Sequence, residues 1–146
     1  MVATSPLRTL GQFIAVALAS VIVCGCSNSG QLETAPVSGR VLLDGKPLPF
    51  GVVTFIPSLG RAAKGEVQAD GSFRLGTYKG DDGAIIGKHK VSVIAIRPPA
   101  SGESSAERTD NVFLLPSRYA IAEESGFEFE VKANDANKFI LELKSE

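Results

Sequence analysis

Few residues of this chain are of a type that does chemistry. A general base of the usual kind has one source, His89, because the 146 residues hold a single His. One imidazole excludes any site built on two, including the His-Glu-x-x-His zinc pattern. A Ser-His-Asp arrangement would have to recruit His89, and Ser101, Ser104 and Ser105 lack the Gly-x-Ser-x-Gly surround of a nucleophile elbow. His89 also shares the inward parity of an alternating run with Val91, Val93 and Ala95. A lone His there reads as a hydrogen-bonded structural residue, since a base needs an oriented partner and no motif supplies one. Asp81, Asp82, Asp70 and Asp44 are loop carboxylates of the type that Ca²⁺ takes. The ion needs about 6 to 8 oxygens, however, and the D-x-D-x-D-G spacing is missing. Turn chemistry explains the repeated Asp-Gly pairs without a metal. Tyr78 and Tyr119 make a thin sugar-stacking platform in a chain without Trp. The two Cys, Cys24 and Cys26, lie one residue apart near the N-terminus, which leaves none for a disulfide or a Cys-rich metal site elsewhere. No catalytic residue, metal or cofactor is expected.

What positions these residues is bounded by composition. The chain is 44% hydrophobic and 21% charged, with a formal net charge of -1, which is ordinary for one globular domain. A charge near zero gives no reason to expect a nucleic-acid partner.

Residues 9–23, TLGQFIAVALASVIV, hold no charge and follow the lone Arg8. That stretch has the length of a signal-peptide core and falls short of the roughly 20 residues of a membrane span. It ends in Val23-Cys24-Gly25-Cys26. The sequence resembles the lipobox of bacterial lipoproteins, which has an aliphatic residue at -3, a small one at -1, and then the Cys that receives a diacylglycerol. Cys26 fits that role; Cys24 does not, because Val23 before it is too large for the -1 position. The resemblance implies a signal peptide over 1–25, cleavage before Cys26, and a thioether-linked lipid anchor. Each buried methylene of such chains contributes about 0.8 kcal/mol, and two or more chains anchor stably. Loss of Arg8 leaves 14 basic against 16 acidic residues and a mature charge of -2. Small polar residues over 27–36, SNSGQLETAP, read as a tether, so 26–35 is the lipidated Cys with its flexible link. Residue 27 is Ser rather than Asp, which by resemblance to the sorting rule of some diderm bacteria favours the outer membrane over the inner.

From Pro36 the hydrophobic period is two. Val37, Gly39, Val41 and Leu43 fall on one side of a first strand, closed by Asp44-Gly45-Lys46-Pro47. FGVVTFIP over 50–57 is β-branched and aromatic. Asp70-Gly71 between KGEVQA and SFRLGTY is a hairpin signal that predicts Val67, Phe73 and Leu75 inward and Glu66, Gln68 and Arg74 outward. KHKVSVIAI over 88–96 is the longest run and is expected at a sheet centre, stopped by Pro98 and Pro99. Residues 97–110 are polar and read as a long loop. VFLLPSRYA over 112–120 lacks alternation and is expected to be a buried irregular piece with one helical turn. Phe127, Phe129 and Val131, then Phe139, Leu141 and Leu143, alternate inward along the last two strands. Seven strand candidates with turn signals every 8 to 12 residues or so predict an all-β sandwich over 36–146.

The opening V-x-G-x-V-x-x-D-G-K-P-L of 37–48, the A-D-G-S-F-x-L hairpin of 69–75 and the G-x-H-K-V-x-V strand of 87–93 resemble the small envelope lipoproteins of planctomycete bacteria. Their domain is a transthyretin-like, carboxypeptidase-regulatory-like β-sandwich. The likeness spans nearly all of 36–144. It implies a seven-stranded, Greek-key-like sandwich and brings no activity with it. Transthyretin-like hydrolases of 5-hydroxyisourate carry several His and a C-terminal Tyr-Arg-Gly-Ser; this chain has one His and ends Leu143-Lys144-Ser145-Glu146. The expectation is a membrane-anchored, non-catalytic envelope lipoprotein that binds or scaffolds through its surface. The alternative is a carbohydrate-binding accessory protein, with an enzyme a distant third. The implied partners are the membrane, through the lipid, and an envelope protein or glycan.

Overall fold

The computed structural model describes residues 30–95 and 115–146. The signal segment, Cys26 and the 97–110 loop lie outside the described residues. Within them the chain is β structure, and its one regular helical piece is a 3₁₀ turn over Ser117–Ala120.

One sheet is built on β2 (Val37–Leu43), which pairs in parallel with β10 (Asn137–Leu143). On its other side β2 pairs antiparallel with β3 (Lys46–Pro47) at one end and β6 (Ser72–Arg74) at the other. The second sheet runs β5-β4-β8-β9, with β4 (Gly51–Pro57), β5 (Ala63–Val67), β8 (Gly87–Ile94) and β9 (Glu128–Val131), all neighbours antiparallel. The expected interior place of the 88–96 run is therefore observed, with β8 between β4 and β9.

Alternation decides which face each strand buries. Val37 and Val41 of β2, Leu141 and Leu143 of β10, and Phe73 of β6 point at Val53, Phe55, Val91, Val93 and Val131 of the other sheet, all in one hydrophobic core. Phe55, fully buried at 0% exposure, is its hub. Its ring centroid lies 5.8 to 6.4 Å from those of Phe73, His89, Phe129 and Phe139. Phe129 and Phe139 stack at 4.6 Å across the side where β9 and β10 end their sheets. Aromatic pairs at such separations add about 0.5–1.5 kcal/mol each beyond the area they bury.

At the opposite side, β5 and β6 belong to different sheets but stay hydrogen-bonded. Gln68 N–H donates to Ser72 O at 2.8 Å, and Lys64 and Gly76 exchange bonds of 3.0 and 2.9 Å. The sandwich is closed along that side by main chain.

The Asp70-Gly71 hairpin forms, with a different turn from the two-residue one that needs both central residues at φ > 0. Only Gly71 is positive, at φ 80°, and Gly71 N–H donates to Gln68 O at 2.8 Å. This is the longer loop, a turn over 68–71 with a Gly bulge, and Asp70 stabilises it by accepting from Ser72 N–H at 3.0 Å. The turn with two positive φ values is Asp44 (50°) and Gly45 (80°), joining β2 to β3. Gly71→Val is expected to cost about 2 kcal/mol, because a β-branched residue resists positive φ. A Cβ there would also stand 2.7 Å from Val41 O. Chemical denaturation measures it, and an unchanged midpoint would contradict the turn.

The expected tether enters the fold before Pro36. Thr34–Ala35 form β1 and pair antiparallel with β7 (Ala84–Ile85), and Ala35 is buried. The irregular piece ends as expected in a helical turn, where Leu115 and Tyr119 are buried; residues 112–114 lie outside the described residues.

Candidate functional site

His89 sits inward on β8 with 1% exposure. Its Nδ1 is 3.0 Å from Gly87 O, which fixes that nitrogen as the donor, and Nε2 is buried with no hydrogen-bond partner. Burial holds the imidazole below its ordinary pKa, partly offset by the Gly87 carbonyl. Its ring neighbour is Phe55, and no described hydroxyl or carboxylate bonds to it. It is a buried core residue, as its inward parity implies.

The turn carboxylates do not converge. Asp44 accepts from Ser145 N–H at 3.2 Å. Asp70 accepts from the Ser72 hydroxyl at 2.6 Å and lies 3.8 Å from Arg40, both side chains being exposed. The Ser145 and Ser72 bonds hold these two carboxyls below the usual range. Asp82 gathers three successive main-chain donors: Thr77 N–H at 2.6 Å, Tyr78 N–H at 3.0 Å and Lys79 N–H at 3.0 Å. Burial alone would raise its pKa, and these bonds outweigh it, leaving the carboxyl lowered. Asp81 stands apart at φ 62°. Among the described residues no three His, Cys, Asp or Glu side chains come together as metal ligands.

The two tyrosines are separated in role. Tyr119 is 5% exposed beneath Arg118, whose guanidinium lies 4.7 Å from its ring centroid. Its hydroxyl accepts from Lys144 N–H at 2.9 Å. Buried this way it offers no stacking face, so a two-tyrosine platform does not form. Burial pushes its phenol up, and the Lys144 and Arg118 bonds more than reverse the shift. Tyr78 is half-buried, and its hydroxyl accepts from Leu32 N–H at 3.0 Å.

A groove of about 650 Å³ runs along the closed side of the sandwich. Lys64 and Glu66 of β5, Arg74 of β6, and Tyr78, Lys79 and Asp81 of the following loop line it. Two glycines make it possible. A Cβ at Gly65 would lie 2.1 Å from Arg74 O, and one at Gly76 would lie 2.5 Å from Lys79 O, so the backbones meet closely beneath the side chains. The Asp82 cap then fixes the 77–79 loop at one end. None of Lys64, Arg74 and Lys79 is in an ion pair among the described residues, where the one pair is Arg40–Asp70. The groove thus combines three cations, two carboxylates and a phenol on β5, β6 and the loop that follows them, an arrangement able to bind a polar ligand.

Sequence reasoning placed Glu66 and Arg74 in water without joining them. The signal was faint: polar residues at matching outward positions on both arms of one hairpin. Compared with protein-family models, with curated proteins and with solved structures, the chain finds no match in any of the three.

Proposed function

We propose that the chain is a membrane-anchored, non-catalytic envelope lipoprotein that works as a binding module through the groove between β5 and the 72–81 segment. The observation that carries this reading is the groove itself: Lys64, Arg74 and Lys79, none ion-paired among the described residues, held over a glycine floor away from the molecule's one imidazole. Polar groups converging in a concavity on a rigid scaffold are what ligand recognition uses. The finer fold reading, a seven-stranded Greek-key sandwich of the transthyretin-like class, is supported by the order β6-β2-β10 in one sheet and β5-β4-β8-β9 in the other.

A carbohydrate ligand is the second reading, favoured by Tyr78 beside Arg74 and Glu66 in the groove lining. Solubilised envelope extract passed over immobilised full chain separates the two: the first predicts retained protein, the second retained glycan. Retention of neither opposes the binding role.

The anchor is proposed on Val23-Cys24-Gly25-Cys26. Cys26→Ser is expected to abolish incorporation of labelled palmitate and leave an unprocessed precursor. Undiminished labelling of that variant would place the lipid elsewhere.

A further inference from the structure

Among the described residues strand β10 ends its sheet, with β2 on one side only. Leu143 O accepts Asp44 N–H at 3.0 Å, so residues 137, 139, 141 and 143 aim their main-chain groups toward β2. Residues 138, 140, 142 and 144 therefore aim theirs outward. At Lys144 the outward groups are taken, the N–H by the Tyr119 hydroxyl at 2.9 Å and the carbonyl by Arg118 at 3.4 Å. At Lys138, Ile140 and Glu142 no hydrogen bond from the described residues reaches them. The same three side chains are exposed on the outer face of the sheet, and Ile140 is 63% exposed.

We propose that β10 is a self-complementary edge through which two copies of this chain pair antiparallel, with the two-fold axis at Ile140. Antiparallel pairing about residue 140 sets Ile140 against its own copy, Lys138 against Glu142, and Glu142 against Lys138. All three are hydrogen-bonded pairs by parity, with Cα atoms about 5.5 Å apart. Opposite charges directly across an antiparallel pair stabilise it and like charges destabilise it. The spacing Lys-x-Ile-x-Glu is thus satisfied twice by one symmetric register, as an isologous interface requires. An edge strand without such a partner presents a row of open donors and acceptors. The other sheet's edge differs. On β9, Glu128 and Glu130 are exposed, and antiparallel pairing centred on Phe129 or on Glu130 would set glutamate against glutamate. The self-complementary edge is β10, and it uses neither the groove nor the lipid.

The test mixes ¹⁵N-labelled and unlabelled full chain in detergent and adds a carbodiimide, which joins an amine to a carboxylate in contact. The expected product links Lys138 of one copy to Glu142 of another, seen as mixed-isotope peptides. Within one copy the two residues are about 13 Å apart along the strand, too far for a zero-length link. Lys138→Glu should weaken association, measured by sedimentation equilibrium in density-matched detergent, by about tenfold. Adding Glu142→Lys should restore it. Both positions are exposed, and an unchanged thermal midpoint confirms that each variant folds. A particle with the protein mass of a single copy at every concentration, or a double variant as weak as the single one, would overturn the proposal.

Discussion

Phe55→Ala is expected to lower stability by about 3–5 kcal/mol, the range for removing a buried aromatic ring and leaving a cavity. The size follows from position. Phe55 is fully buried and is the one residue whose ring meets Phe73 and Phe139 from one sheet and His89 and Phe129 from its own. Its loss would open the middle of the core and withdraw support from the Phe129–Phe139 stack at 4.6 Å, which covers the side not closed by main chain. The cavity cannot collapse easily, because β4 is held by β5 and β8 on both sides. Phe55→Leu should cost clearly less, since it keeps most of the volume. Urea denaturation with the slope checked for constancy measures both. A Phe55→Ala loss below about 1.5 kcal/mol would mean that the sheets are not packed around this ring.

Gly65→Ala is expected to cost about 3 kcal/mol for a single methyl group, at the upper end of the range for overpacking. The backbone of Gly65 has an ordinary φ, so the cost is one of space. The new Cβ would meet Arg74 O at 2.1 Å and Arg74 C at 2.9 Å, and main chain cannot turn away as a side-chain tip can. Relief requires β5 and β6 to part, which strains the Lys64–Gly76 bridge and spreads the groove floor. The variant should therefore lose stability and groove-dependent binding together. Gly45→Ala is the matched control: a Cβ there meets nothing within 4 Å, although its φ of 80° still adds strain. Equal losses at both positions would contradict the close approach at Gly65.

Much of the fold was legible because strand burial has a local cause. Side chains alternate between faces, so Phe127, Phe129 and Val131, or Leu141 and Leu143, declare their inward side without reference to the rest of the chain. Turn type was less legible. Asp70-Gly71 and Asp44-Gly45 are the same dipeptide, and only the bonds of Gln68, Ser72 and Val41 around the first decide that one φ, not two, is positive. The parallel pairing of β2 with β10 was hidden, since it joins Val37 to Asn137 and no local pattern encodes a partner that distant. Asn137 was hidden for a related reason. It reads as a turn residue but is buried, with Nδ2 donating to Lys132 O at 2.9 Å and Oδ1 accepting from Lys132 N–H at 2.8 Å, closing the β9–β10 connection. The structural role of His89 followed from parity; its partnerless Nε2 did not, because the bond from Nδ1 to Gly87 leaves the other nitrogen against apolar neighbours. The groove arises where the two arms of one hairpin enter different sheets, and sequence alternation cannot report sheet membership.

The most direct measurement compares retention of solubilised envelope protein and glycan by three immobilised full-length chains: the native one, His89→Ala, and the double variant Lys64→Glu with Arg74→Glu. Thermal midpoints verify that each is folded. A binding module that recognises its ligand through the groove should lose at least about tenfold in retention when two cations are reversed, as loss of charged contacts worth about 1.4 kcal/mol or more implies. The same module should be indifferent to His89→Ala at equal foldedness. Retention that survives the double reversal but disappears with His89→Ala would contradict a non-catalytic groove and place the function at the imidazole.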